Sequence, residues 1–290
     1  MQPTTLLVDP ESKADDPHGF KVMKPTNPQL DSHDIDDRRR TLRMQKASLT
    51  QLKMDGIDRP SAKIAETLDE YQQSFKLTYE SYVAQGYINE NPEYPYHYSP
   101  FSMLPDTCIF IFKSYLKVIA SLTEIFDSSD LGLPMDELYR QELNQLREKD
   151  RKIVELSSFV TAKEFRMRNI MIYLCKIMVM YSNINKVNDI CIMVNPKHVR
   201  FYTTMFFFEP FGETKFYEKV QAPAVALRLN MDNIKEQVQK KYAQFTFTED
   251  LHSFFYRTNT TLDMLLSGSL SPRRQQLDDA IRNFFQHKPR

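Results

Sequence analysis

The chain reads as an α/β domain with a mixed central sheet of about six or seven strands and helices on both faces. Three observations predict this. Strand-like and helix-like runs alternate along most of the 290 residues, in the order β-α-β-β-α-β-α-β-α-β-β, without a fixed-period repeat. A hydrophobic share of 41% beside 26% charged residues supplies a sizeable core. Between Cys191 and Leu229 a strand, a proline-started helix and two β-rich runs follow one another closely.

Residues 1–57 are rich in Pro, Asp, Ser and Arg, and Phe20 is their only aromatic, so this segment is expected to be disordered. Its Asp36–Arg43 run reads as a solvated charge cluster, with a partner contact as the alternative. Order is expected from a short strand at Ser61–Glu66, into a domain spanning 58–231. Thr67-Leu-Asp-Glu70 is a capping box opening a helix with Leu68, Tyr71, Phe75, Tyr79 and Tyr82 as its apolar positions, and Gly86 supplies the stop. After a Pro- and Tyr-rich loop, Asn89–Pro105, strands are predicted at Cys108–Tyr115 and Leu116–Phe126. Leu133 begins a helix with Pro134 near its first turn. A β-branched strand, Lys152–Thr161, precedes a long helix from about Ala162 to Ser182, apolar nearly all round and therefore buried. Asp189–Val194 is the next strand. Asn195-Pro196 caps and starts a helix carrying Val199, Tyr202 and Phe206, before strands near Phe208–Phe216 and Ala224–Leu229. Residues 232–290 form a helical extension: Asp232–Tyr242, Asp250–Leu266, and a last helix after Ser271-Pro272 with Leu277, Ile281, Phe284 and Phe285 on one face. That face is expected to dock on the domain, with a partner or membrane surface as the alternative.

Several functions are disfavoured. The formal net charge is zero, so no global field points to nucleic acid or an anionic membrane. Cys108, Cys175 and Cys191 lie in apolar runs without paired spacing, as reduced core thiols do; neither disulfides nor a metal site is expected. Met1–Pro10 lacks the basic start and apolar core of a secretory leader. The greasiest run, Ile170–Tyr181, contains Lys176 and is too short to cross a bilayer. These readings predict a cytoplasmic protein with no transmembrane segment.

Val194-Asn-Pro-Lys-His-Val-Arg-Phe-Tyr202, followed by Phe208-Glu-Pro-Phe-Gly-Glu213 and Ala222-Pro-Ala-Val-Ala-Leu-Arg-Leu229, resembles the bacterial long-chain N-acyl amino acid synthases. Phe75–Tyr87, Tyr98-Ser-Pro-Phe101, Gly132-Leu-Pro-Met-Asp136 and Val154-Glu-Leu-Ser157 extend the resemblance over about residues 61–230. It implies the fold of the GCN5-related N-acetyltransferases. It also implies an acyltransferase moving a long fatty acyl group from an acyl carrier protein thioester to the α-amine of an amino acid.

Amide formation from a thioester needs a neutral amine, a stabilised oxyanion and a leaving thiolate. Glu155 is a charge in the middle of an apolar strand, and the resemblance implies that it accepts the ammonium proton. The alternation of the strand alone would equally put Glu155 and Ser157 on a solvated face. Tyr202 stands where many enzymes of this fold carry a tyrosine aimed at the thioester sulfur; otherwise it is one more packed aromatic. Asn195 is an N-cap by residue type and a pantetheine contact by resemblance. Main-chain donors at Phe159 or Val160 are the implied oxyanion partners, beside an arm lying as an extra strand between 152–161 and 189–194. His97, Tyr98 and Ser157 are the candidate acceptor contacts.

Coenzyme A enzymes of this fold usually carry a glycine-bearing loop before the long helix, where backbone amides meet the pyrophosphate. Here the loop is Thr161-Ala-Lys-Glu-Phe-Arg-Met-Arg-Asn169, without glycine. A carrier-protein donor is therefore expected over acyl-CoA, with Lys163, Arg166 and Arg168 facing an acidic carrier or forming a solvated helix start. No permanently bound cofactor is expected. The methionines of the long helix and the cluster Phe201, Phe206, Phe207, Phe208 and Phe211 serve as core or line a fatty-tail slot. Two positions depart from the family pattern: Ser158 replaces an arginine, and Phe207 a glycine, which predicts an altered helix exit and a narrower channel. Two other functions are weighed. A degenerate module that binds carrier protein or lipid would fit these departures. An acyl-homoserine lactone synthase would usually show an early tryptophan, and the chain has none.

Overall fold

The computed structural model describes residues 53–242, 255 and 275–286. Residues 1–52, Asp250–Leu266 apart from Phe255, and the Ser271-Pro272 cap lie outside the described residues, with the expectations placed on them.

The elements in chain order are β1 (Pro60–Ile64), α1 (Leu68–Ala84), β2 (Cys108–Ser114), β3 (Lys117–Phe126), α2 (Asp136–Arg147), β4 (Ile153–Thr161), α3 (Ile170–Ile184), β5 (Asp189–Val194), α4 (Pro196–Met205), β6 (Glu209–Pro210), β7 (Lys215–Tyr217), β8 (Ala222–Asn230), α5 (Met231–Tyr242) and α6 (Gln275–Gln286). The strands form an eight-stranded sheet ordered β1-β2-β3-β4-β5-β8-β6, with β7 also on β8. The count exceeds the expected six or seven because the Phe208–Phe216 run divides into two short strands. All described pairings are antiparallel except β4 with β5.

Alternation sorts the core into two layers. Cys108, Phe110, Phe112, Val154, Ile190 and Ile192 meet α3, together with Tyr202 of α4 and Met231 and Ile234 of α5. On the other face Ile109, Ile111, Val118 and Val160 meet α1 and α6. Ile125, Ile153, Cys191 and Ala226 meet α2. Buried from Ile170 through Val179, α3 is a central helix, as its uniform hydrophobicity requires. In α6, Ile281 and Phe285 are buried, and the Phe285 ring lies 5.0 Å from Phe75 and 4.8 Å from Tyr98. No helix among the described residues is long and apolar enough to cross a membrane.

Local chemistry accounts for most boundaries. The Thr67 hydroxyl accepts from the Glu70 N–H at 3.2 Å, capping α1. The Glu70 carboxylate accepts from Glu66 N–H and pairs with Lys113, so the capping box is only half closed within the helix. Two expected helix starts move. Pro134 lies in a turn ahead of α2, because the Asp136 carboxylate accepts the Leu133 N–H at 2.7 Å and holds that turn closed. A 3₁₀ turn, Lys163–Arg168, precedes α3, and Asn169 at φ +59° separates the two. Phe207 takes φ +63°, the left-handed backbone in which the glycine expected there is at ease.

The feature that positions the site is a gap in the sheet. β4 pairs with β5 only from Ile153↔Asp189 to Leu156↔Ile192, although β4 continues to Thr161 and β5 to Val194. The cause is a bulge. Thr123 pairs with Ser157 and Ser121 with Val160, so Ser158 and Phe159 together oppose Leu122. Ser158 sits at φ +51°, and the extra residue bends β4 toward β3 and away from β5.

Candidate active site

The gap opens into a cavity of about 550 Å³ that reaches both faces of the sheet. Its walls include Glu155–Val160 of β4, Ile192–Val194 of β5, and Asn195, His198 and Tyr202 at successive turns along one face of α4. On the α1 and α2 side it is lined by Tyr82, Tyr87, His97, Pro134, Tyr217 and Lys219. On the α3 side the lining is apolar: Cys175, Met178, Val179, Phe206 and Phe208.

Glu155 is 3% exposed, so its charge does not sit on a solvated face. Its Oε2 accepts the Met135 N–H at 2.8 Å. Burial raises its pKa to about 8; the Met135 bond opposes this and the nearby Asp136 charge adds to it. The Met135 turn is itself fixed. Arg147 bonds Asp136 at 2.7 and 2.6 Å and Asp127 at 2.7 and 2.8 Å, and the Asp136 carboxylate holds Leu133. Gly132, at φ +67°, lets this carboxylate come close: a Cβ there would lie 2.4 Å from its Oδ2. A buried carboxylate with an elevated pKa and one fixed donor is a stronger proton acceptor than a solvated one.

Around Glu155 stand aromatic side chains with polar tips. Tyr82 hydrogen-bonds Ser158 through its hydroxyl, and burial raises its pKa, with Tyr87 and Glu155 adding. Burial carries Tyr217 to about 12, helped by Glu137, Glu155 and Tyr82. His97 lies against Tyr82 with ring centroids 4.6 Å apart, and burial holds its pKa below the usual imidazole range. Lys219 pairs with Glu137 at 2.5 Å and is the one Lys or Arg among the described lining residues.

Most residues singled out by sequence converge on this cavity: Glu155, Ser157, Phe159, Val160, Asn195, Tyr202, His97 and Tyr98 all line it. Tyr202 is 7% exposed and packs edge-on to Phe208, so it belongs to both core and cavity wall. Asn195 caps α4 by accepting the Lys197 N–H at 3.2 Å. Two of the expected contact groups have other neighbours. The Tyr98 hydroxyl donates to the Phe285 carbonyl at 2.9 Å and lies 2.8 Å from the Tyr94 hydroxyl, so α6 occupies the group expected to meet an acceptor. Arg166 lies on the turn before α3 outside the cavity wall, with its Nε buried and unpartnered. The side chain of Arg168 is outside the described residues. Phe206, Phe207 and Phe208 line the cavity; Phe201 and Phe211 pack in the core instead.

Sequence reasoning gave no site role to Tyr82, Tyr217, Lys219 or His198. Tyr82 falls on the apolar stripe of α1, which hides its polar tip. The two residues near β7 arrive through a loop whose path no local pattern gives. His198 was signalled by spacing: with Asn195 and Tyr202 it occupies one face of α4 at i, i+3 and i+7.

A family model for the N-acyl amino acid synthase FeeM matches residues 73–230, more than half of the chain. No curated protein sequence matches significantly. Among solved structures, FeeM, an N-acyl amino acid synthase from uncultured soil microbes, is 25% identical. The match covers 65% of this chain and 100% of that one, with a TM-score of 0.57. BjaI, a CoA-dependent acyl-homoserine lactone synthase, is 9% identical over 77% of this chain and 99% of its own, at a TM-score of 0.49. An acyl-CoA N-acyltransferase from Pseudomonas aeruginosa is 13% identical over 58% and 97%, at 0.42. The fold is shared with FeeM, and the chain is an N-acyltransferase. With its sheet parted beside a buried acid and a match over more than half of its length, the chain belongs to the N-acyl amino acid synthase FeeM family.

Proposed function

We propose that the enzyme takes a long-chain fatty acyl group from the phosphopantetheine arm of acyl carrier protein and joins it to the α-amine of an amino acid. The arm lies in the gap between β4 and β5 as an added strand, with Asn195 and the main chain of Phe159 and Val160 as its contacts. Glu155 removes a proton from the acceptor ammonium. The amine nitrogen then attacks the thioester carbon, and the oxyanion is met by a main-chain donor just past the bulge. Collapse re-forms the carbonyl and breaks the C–S bond; Tyr202 gives its proton to the departing thiolate and regains one, through solvent, as the nitrogen loses its second proton to become the amide. His97, Ser157 and Lys219 face the acceptor, Lys219 opposite its carboxylate.

The observation that carries this reading is Glu155, buried in the wall of the gap with a pKa near 8. A base in that range suits an amine acceptor at neutral pH better than an ordinary carboxylate. Carrier protein is favoured over coenzyme A because bulky residues fill the turn before α3, where glycines would let a pyrophosphate approach. Lys163 and Arg166 on that turn suit an acidic carrier surface. The carrier places the enzyme in the bacterial cytoplasm.

The test is expression in bacteria followed by mass spectrometry of lipid extracts, with purified enzyme then offered one acyl chain on carrier protein or on coenzyme A. N-acyl amino acids in the extract and faster turnover of the carrier-bound chain are expected. Absence of N-acyl amino acids from both experiments contradicts the reading; equal use of both donors contradicts the carrier assignment.

A further inference from the structure

The family match ends at residue 230, yet the cavity does not. Met231 and Ile234 of α5, together with Phe255, line it. All three belong to the apolar layer on the α3 face, opposite the layer that contains Cys191, the strand partner of Glu155. A thioester held in the gap therefore has its reacting carbon beside Glu155 and its hydrocarbon tail directed to the α3, α4 and α5 side. There Ile234 is buried, and the Phe255 ring stands edge-on to Phe206 at 6.3 Å.

Resting on the synthase reading above, we propose that α5 and Phe255, which follow the residues the family model matches, close the far end of the acyl channel and set the chain length accepted. The chemistry is that of a ruler. A tail that stops short of these side chains leaves a void, and one that is too long must displace them. A chain that reaches Ile234 and Phe255 gains burial with each methylene up to that wall and loses it beyond.

The experiment compares the wild type with Ile234→Ala, Phe255→Ala and the space-filling Ile234→Phe. Product chain lengths are read by mass spectrometry of lipid extracts, then by competition between two donors differing by two methylenes. Both alanine variants should move the product distribution roughly two carbons longer, changing the donor ratio by about 10-fold. Ile234→Phe should move it shorter. If the alanine variants fail to accumulate as folded protein, Ile234→Val and Phe255→Leu are read in the same way, with a smaller shift expected. An unchanged distribution in variants that still make product overturns this inference and leaves the synthase reading intact. A wild type that makes no N-acyl amino acid contradicts that reading instead.

Discussion

Replacing Glu155 by glutamine isolates its charge from its shape. The amide oxygen can still accept the Met135 N–H now held at 2.8 Å, so the turn before α2 and the edge of the gap should stay in place. The proton acceptor is lost. A positioned general base is typically worth 10²–10⁴-fold, about 3–5 kcal/mol of barrier. The expected result is a loss of that size in kcat/KM, measured by thiol release from an acyl thioester in the presence of an amino acid. The pH profile gives a second reading. With a carboxyl pKa of about 8, wild-type kcat/KM should rise roughly tenfold per pH unit below that value and level off above it. Glu155→Gln should lose this limb. Stability moves in the opposite sense. A folded pKa raised from 4.5 to about 8 means that the native state holds more protons than the unfolded chain between those values. Wild-type stability therefore falls as pH rises through that window, at up to about 1.4 kcal/mol per unit. The glutamine variant should be the more stable protein at pH 8, by something on the order of a few kcal/mol. A loss of activity under about tenfold, or an unchanged pH limb, would refute the assignment of Glu155 as the base.

Three other outcomes follow from named contacts. Tyr202→Phe keeps the packing on Phe208 and removes one hydroxyl, so the melting temperature should hold while kcat falls about 10–10²-fold; an unchanged kcat would assign Tyr202 to packing alone. Glu124, fully buried and bonded by Ser182 at 2.8 Å, also has its pKa raised by burial to about 8. Glu124→Gln should thus reduce the pH dependence of stability between about 4.5 and 8 with the same sign as Glu155→Gln, while leaving the activity limb in place, as urea unfolding and rate measurements would reveal. Lys186 occupies the left-handed position after α3 at φ +55°, with the Val187 N–H donating to Ser182 O at 2.9 Å and its own N–H to Asn183 O. Lys186→Gly should raise stability by about 1 kcal/mol in urea unfolding, and a loss would mean that the backbone there is not left-handed.

The layout of the fold was readable because its signals are local. The apolar run Cys108–Phe112, the Asn195-Pro196 start of α4 and the Thr67 cap each depend on a few neighbouring residues. Glu155 stood out because a charge inside an apolar strand needs a reason. Glu124, a charge inside the equally apolar strand β3, carries the same signal. What stayed hidden is long-range. No local pattern announces that α6 returns to take the Tyr98 hydroxyl, or that the loop through Tyr217 and Lys219 reaches the cavity beside Glu155 and Tyr82. Left-handed backbone at Ser158, Asn169 and Phe207 was hidden as well, since nothing in an L-residue signals that its surroundings will impose a positive φ. The bulge at Ser158 matters most here: it opens the gap, yet in sequence it is only a serine where an arginine was expected.

The most direct measurement is a crystal structure of the enzyme with a non-hydrolysable thioether analogue of an acyl-pantetheine. The arm should lie between β4 past Ser158 and the end of β5, with the sulfur beside Tyr202, the carbonyl analogue within reach of Glu155, and the tail pointing to Phe206 and Ile234. An analogue bound outside the gap, or β4 and β5 closed on each other beyond Leu156 and Ile192, would contradict the account.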